Sequence, residues 1–150
     1  MSKFAAQGIR IDVPDGWEAV DRTPPEAVDD GSRPAPTLHV SSVLIPEEIA
    51  SFGGPVAERM TSDDTFMTLI DYGPELAGTP LFASEGLPTL DASMFHRETV
   101  LGGLEHQTAC QHFFTYEGRA FCLYVILGSH IDRADLIPKV NSMIQTLELE

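Results

Sequence analysis

The chain has 150 residues, a length that fits one domain and buries about two-thirds of the surface its unfolded form exposes. Nine basic against twenty-three acidic residues give a formal charge of −14, which repels phosphate backbones and argues against nucleic acid as a partner. No stretch approaches the ~20 apolar residues of a membrane helix, and the opening MSKFAAQGIRIDV lacks the apolar core of a signal peptide, so the expected setting is cytoplasmic, with no membrane partner.

Gly8 to Pro14 alternates Ile9, Ile11 and Val13 with Arg10 and Asp12, the pattern of a half-buried strand, and Pro14-Asp15-Gly16 ends it in a turn. Trp17 follows as an expected core anchor, because so large an apolar area favours burial. Residues 21–37 hold four prolines, Asp29-Asp30 and little to bury, so a mobile Pro/Asp-rich surface loop is expected there. Strand character resumes over Thr37–Ile45, with Leu38, Val40 and Leu44 on one face and His39 on the other, and Pro46 stops it. A short helix is expected over Pro55–Met60 and a strand over Thr65–Tyr72.

Gly73 to Phe95 is irregular yet apolar, with Leu76, Leu81, Phe82, Leu87, Leu90, Met94 and Phe95 among its prolines and glycines. Two outcomes are open: these side chains lie down over a sheet face, or some form a rim that binds a partner. Leu81, Phe82, Leu87 and Phe95 are the partner-binding candidates. Asp91 is placed to cap one helical turn, and Arg97–Leu101 reads as a short strand.

Gln107 to Leu127 is the stretch the rest covers: a β-hairpin turning at Glu117-Gly118, with five of the chain's twelve aromatic residues. Its second arm, Ala120–Leu127, is a continuous apolar run suited to a central strand buried on both faces. The register set by that turn puts Cys122 opposite Phe113. Cys122 is thereby offset from Cys110 by roughly 10 Å of strand, beyond the ~7 Å reach of a disulfide. The closing Asp135–Leu147 is amphipathic, with Leu136, Ile137, Val140, Ile144 and Leu147 in one stripe. Asp135 as its N-cap leaves Pro138 in the tolerated first turn.

No arrangement of reactive residues outweighs its structural explanation. Cys110 and His112 share a strand face, but the register puts Leu123 and Val125 opposite them, an interior setting without further ligands. Cys122 sits mid-strand in the most apolar run, where burial keeps a thiol inert. There is no G-x-S-x-G elbow, and Gly53-Gly54-Pro55 lacks the lysine and spacing of a phosphate loop. No catalytic, cofactor or metal residue is therefore assigned.

Two segments resemble a known superfamily. GIRIDVPDGWEAV is similar to the opening strand and P-x-G-W turn of PsbP-like domains, and a strong strand followed by DLIPKVNSMIQTLELE resembles their closing helix and short terminal strand. Arg119 to Ser129 is also similar to a strand of bacterial proteins that carry R-x-F-C-L-Y-V-x-L-G-S. The PsbP-like resemblance implies an antiparallel sheet sandwiched by helices and a role in binding other proteins. Its members include photosystem accessory subunits, a Ran-binding import factor, lipoproteins and effector chaperones. It brings no catalytic residues to carry over, and the lipoprotein signal and cysteine are missing here.

The expectation is thus a single α+β domain spanning 1–150, mainly an antiparallel sheet flanked by helices, that acts as a non-enzymatic chaperone, adaptor or accessory protein. Its partner would be a protein with a basic or amphipathic surface, met by a sheet face or edge together with 73–95. Two alternatives stand beside it. One is a small-molecule or enzymatic pocket under the 73–95 cover, walled by His39, Cys110 or His112. The other is a homo-oligomer joined through strand edges.

Overall fold

A computed structural model describes residues 1–24, 35–47, 54–100 and 104–150. The described residues form an α+β structure that is mostly strand, in two antiparallel sheets. The smaller sheet has the order β1-β2-β8, from β1 (Ser2–Ala6), β2 (Ile9–Val13) and β8 (Glu148–Leu149). The larger has the order β3-β4-β5-β7-β6, from β3 (Glu18–Asp21), β4 (Thr37–Ser41), β5 (Thr65–Gly73), β6 (Thr108–Tyr116) and β7 (Arg119–Leu127).

The long hairpin is as its turn chemistry requires. Glu117 and Gly118 have φ of 49° and 78°, the two positive angles of a type I′ turn, which lock Tyr116 opposite Arg119 and Phe113 opposite Cys122. Gln7 and Gly8 repeat the device between β1 and β2 with φ of 54° and 77°. β1 escaped the sequence reading because Ser-Lys-Phe-Ala-Ala has weak strand propensity; it forms as an edge paired residue for residue with β2. β7 lies between β5 and β6 and is buried from Ala120 onward.

Register divides the five-stranded sheet into two faces. Leu38, Val40, Met67, Leu69, Leu123, Val125, Cys110 and Phe114 point to one face, where α2 (Arg133–Ile144) and the small sheet close over them. On the opposite face, cross-strand neighbours Val20, His39, Thr68, Tyr124 and Gln111 form a partly polar row. Toward the Thr65–Leu127 end, that face carries a second core of Phe66, Tyr124, Ile126 and Ala109. It is sealed by Val56, Ala57 and Met60, from α1 (Gly54–Ala57) and the turn after it.

Several expectations need correction. β4 ends at Ser41 rather than Ile45, because the Ser41 hydroxyl accepts the Val43 amide at 3.0 Å and turns the chain, leaving Leu44 exposed. Of the strand expected at Arg97–Leu101, residues 97–100 are not a strand and Leu101 lies outside the described residues. His96 makes a single bridge to Ala109, and the chain then winds through a 3₁₀ turn at Arg97–Thr99. α2 starts at Arg133 with Asp132 as its N-cap, so Pro138 lies inside the helix. The earlier start is held by the Ser129 hydroxyl, which donates to the Asp132 carboxylate and accepts the Asp132 amide, each at 3.1 Å. Arg133 adds bonds to the carbonyls of His130 and Ala92. The apolar stripe of α2 buries Ile137, Val140, Met143 and Ile144, with Leu147 beyond it and Leu136 only half-buried.

Of the loop expected at 21–37, residues 25–34 lie outside the described residues, as do Gly53, Gly102 and Gly103. Its two ends are joined to each other: the Arg22 amide bonds the Thr37 carbonyl at 2.8 Å, and the Thr37 amide the Thr23 hydroxyl at 3.1 Å. Trp17 is half-buried against the main core, with the Lys139 ammonium 5.8 Å from its ring. No helix among the described residues is long and apolar enough to cross a membrane.

Candidate functional site

The irregular segment after β5 divides at Leu87. From Leu87 to Phe95 it lies under α2, and three polar side chains, two from that helix and one from its C-cap residue Gln145, hold its main chain. Asn141 accepts the Leu90 amide at 2.8 Å and donates to the Leu90 carbonyl at 2.9 Å. Gln145 reaches the Pro88 carbonyl, and Arg133 that of Ala92. Asp91 caps the turn at Ala92–Met94 by accepting the Ser93 amide at 2.9 Å. The apolar side chains of this half go inward: Phe95 is 2% exposed, and Leu87 packs on the core.

Residues 74–86 behave differently. Up to Phe82 their main-chain bonds are short-range, as in Ala77 to Pro74, Thr79 to Leu76 and Phe82 to Thr79, and Ser84 and Gly86 then bond the main chain of Thr115. The sheet holds them through Thr115, whose hydroxyl donates to the Phe82 carbonyl at 2.7 Å and accepts the Gly78 amide at 3.0 Å. A 3₁₀ turn at Pro80–Phe82 sends neighbouring side chains apart. Phe82 is 4% exposed and packs edge-on against Tyr72 and Phe113, at 5.7 and 5.6 Å between ring centres. Leu81 stands 60% exposed, with Leu76 at 42% and Tyr72 at 38%. The result is an aromatic plug on the partly polar sheet face with aliphatic side chains around it in water.

Of the four sequence candidates, then, only Leu81 is exposed. Phe82 and Phe95 are corrected to interior anchors and Leu87 to a half-buried one, because composition does not say which way a side chain turns. Tyr72 and Phe113 complete the cluster and were not singled out. Phe113 was findable, since it faces Cys122 in the register and so belongs to the partly polar face.

The polar candidates lie apart from one another. Cys110 and His112 project from the α2 face, opposite Val125 and Leu123, whereas Cys122 points to the other face, so the two thiols are separated by the sheet. Both are free and buried, and burial pushes each thiol up to about 11, aided at Cys110 by the Asp91 carboxylate. His112 stacks on Phe114 at 5.9 Å between ring centres, and burial lowers its pKa. His39 is buried on the partly polar face with Nδ1 2.8 Å from the Thr68 hydroxyl. Burial first, and the Arg22 guanidinium second, push it down to about 4, so it is neutral at pH 7.

Among the described residues, no three His, Cys, Asp or Glu side chains converge as a metal site would need. A cavity under α2, lined by Ile11, Met67, Leu69, Phe114, Leu123, Ile144 and Leu147, has a volume of about 10 Å³, barely the space of one water. A surface groove of about 270 Å³ crosses the small sheet between Lys3, Arg10, Asp12, Gln145, Thr146 and Glu148, and touches none of His39, Cys110 or His112. Comparison of the chain with protein families, curated proteins and solved structures gives no match.

Proposed function

We propose that the chain is a non-enzymatic binding module, a chaperone, adaptor or accessory protein, that holds a basic, amphipathic segment of another protein against the Tyr72–Phe82–Phe113 cluster. The observation that carries this reading is the set of exposed side chains Leu81, Leu76 and Tyr72 around a buried aromatic anchor. Charge supports the partner's chemistry. Between Gly73 and Phe95 the sequence has Glu75, Glu85 and Asp91 and no basic residue, within a chain of net charge −14. A PsbP-like relationship belongs to the same reading. It is supported by the antiparallel sheet with α2 on one face and by the short strand after that helix. A cytoplasmic setting without nucleic-acid partners accords with two free thiols and the acidic charge.

The test compares wild-type and Leu81→Asp chains as bait in extract from the native cell, at low and moderate salt. The expected result is a stoichiometric protein held by the wild type, weakened by salt and lost with Leu81→Asp. Equal retention by both baits would refute this surface as the contact.

A further inference from the structure

We infer that the partner docks by strand addition: a short extended peptide pairs with the open stretch of β6 at Gln111–Phe113, beside the aromatic cluster. This rests on the protein-binding reading and specifies how the same surface is used.

The geometry follows from the hairpin turn. A two-residue type I′ turn makes Tyr116 and Arg119 a hydrogen-bonded pair, so Phe114, His112 and Cys110 also bond across to β7. The alternate residues Thr115, Phe113, Gln111 and Ala109 direct their main-chain groups to the outer edge of the sheet. Both ends of that edge are taken. Thr115 donates to the Ser84 carbonyl and accepts from the Gly86 amide, each at 2.8 Å, while Ala109 and His96 exchange bonds at 2.9 and 3.1 Å. Between these bridges the chain leaves β6 to pass under α2. Gln111 and Phe113 therefore keep four main-chain groups without partners among the described residues.

The opening spans roughly 20 Å of strand, enough for three or four peptide residues to lie alongside. Free edge groups of this kind pair with added strands. A peptide side chain beside Phe113 would meet the Phe113 and Phe82 rings, so apolar residues belong at alternate positions. On the other face of β6, where the peptide's remaining side chains would lie, the Asp91 carboxylate charge is felt at Cys110. Basic residues therefore suit the positions between. A second copy of the chain does not fit. An antiparallel pair of β6 strands centred on His112 sets Thr115 of one against Ala109 of the other, where both edges are already occupied. The charge of −14 on each copy opposes it as well.

The test uses the whole ¹⁵N-labelled chain and the peptide acetyl-(Lys-Val)₃-amide at millimolar concentration, read by amide hydrogen exchange. In the free protein, the Gln111 and Phe113 amides should exchange on the order of 100-fold faster than those of His112 and Phe114. The peptide should slow the first two about tenfold or more. N-methylation of one alternate set of peptide residues should abolish that protection, and methylation of the other set should spare it. Gln111→Pro, which removes an outward N–H while leaving the β7 ladder intact, should fold normally and lose peptide protection at Phe113. Equal tolerance of both methylated sets, or no protection at either amide, overturns strand addition. If the peptide binds, is lost in Leu81→Asp, and leaves Gln111 and Phe113 unprotected, strand addition fails while the binding surface stands. If the pull-down shows no dependence on Leu81, the surface itself fails.

Discussion

The two halves of the irregular segment, 74–86 and 87–95, have similar compositions and opposite fates. Each carries two leucines, a phenylalanine and at least one proline, and each has one residue bridged to β6, Glu85 to Thr115 in the first case and, just past the second, His96 to Ala109. The second half is closed in because α2 and its C-cap residue offer Asn141, Arg133 and Gln145 to its main chain, so its amides and carbonyls can leave water without penalty. The first half finds only Thr115 and its own turns, and stays at the surface with Leu76 and Leu81 in solvent. Burial of an apolar loop is thus decided by who satisfies its backbone, not by its count of leucines.

The contrast is broken most severely by Phe95→Ala, which should lower stability by about 3–5 kcal/mol in denaturant unfolding, because the cavity lies in the main core. Acid should weaken both halves together through His39. Its folded pKa lies below the unfolded one, so the unfolded chain binds the extra proton between pH 6.5 and about 4, and stability falls as pH drops through that range. The loss should be on the order of 2–3 kcal/mol, and His39→Gln should flatten it, as urea unfolding from pH 7 to 4.5 would report. Asn141→Ala sharpens the comparison, because it strands the buried Leu90 amide and carbonyl. A cost of about 1–3 kcal/mol is expected, with faster exchange over 88–95 and unchanged exchange over 74–86. The smallest effect on stability belongs to Leu81→Asp, within about 0.5 kcal/mol in thermal melts, since an exposed side chain has little to lose. Its consequence should appear only in partner retention.

Local signals made much of the large sheet legible. Glu117-Gly118 fixed the hairpin register to the residue, alternation marked β2, and Asp91 announced its cap. The misreadings share a non-local cause. The start of α2 depends partly on Arg133 reaching the carbonyl of Ala92, some forty residues earlier. Arg97–Leu101 has strand composition but no free ladder to join after His96. At the site, the sequence located an apolar, acidic segment. It did not separate Leu81 from Phe82, because that distinction comes from a 3₁₀ turn docked on Thr115.

The pairing of β2 with β8 has a consequence for how the molecule assembles. Ile9 lies beside Leu149 and Arg10 beside Glu148, so one short ladder joins segments separated by nearly the whole chain. The β1–β2 hairpin can form early, but the helix stripe that covers Ile9, Ile11 and Val13 comes from the last fifth of the sequence. On a ribosome those side chains would wait uncovered until α2 emerges, while β5, β6 and β7 could already zip into a sheet. Closing so long a loop for so few contacts makes the small sheet the expected late step of folding.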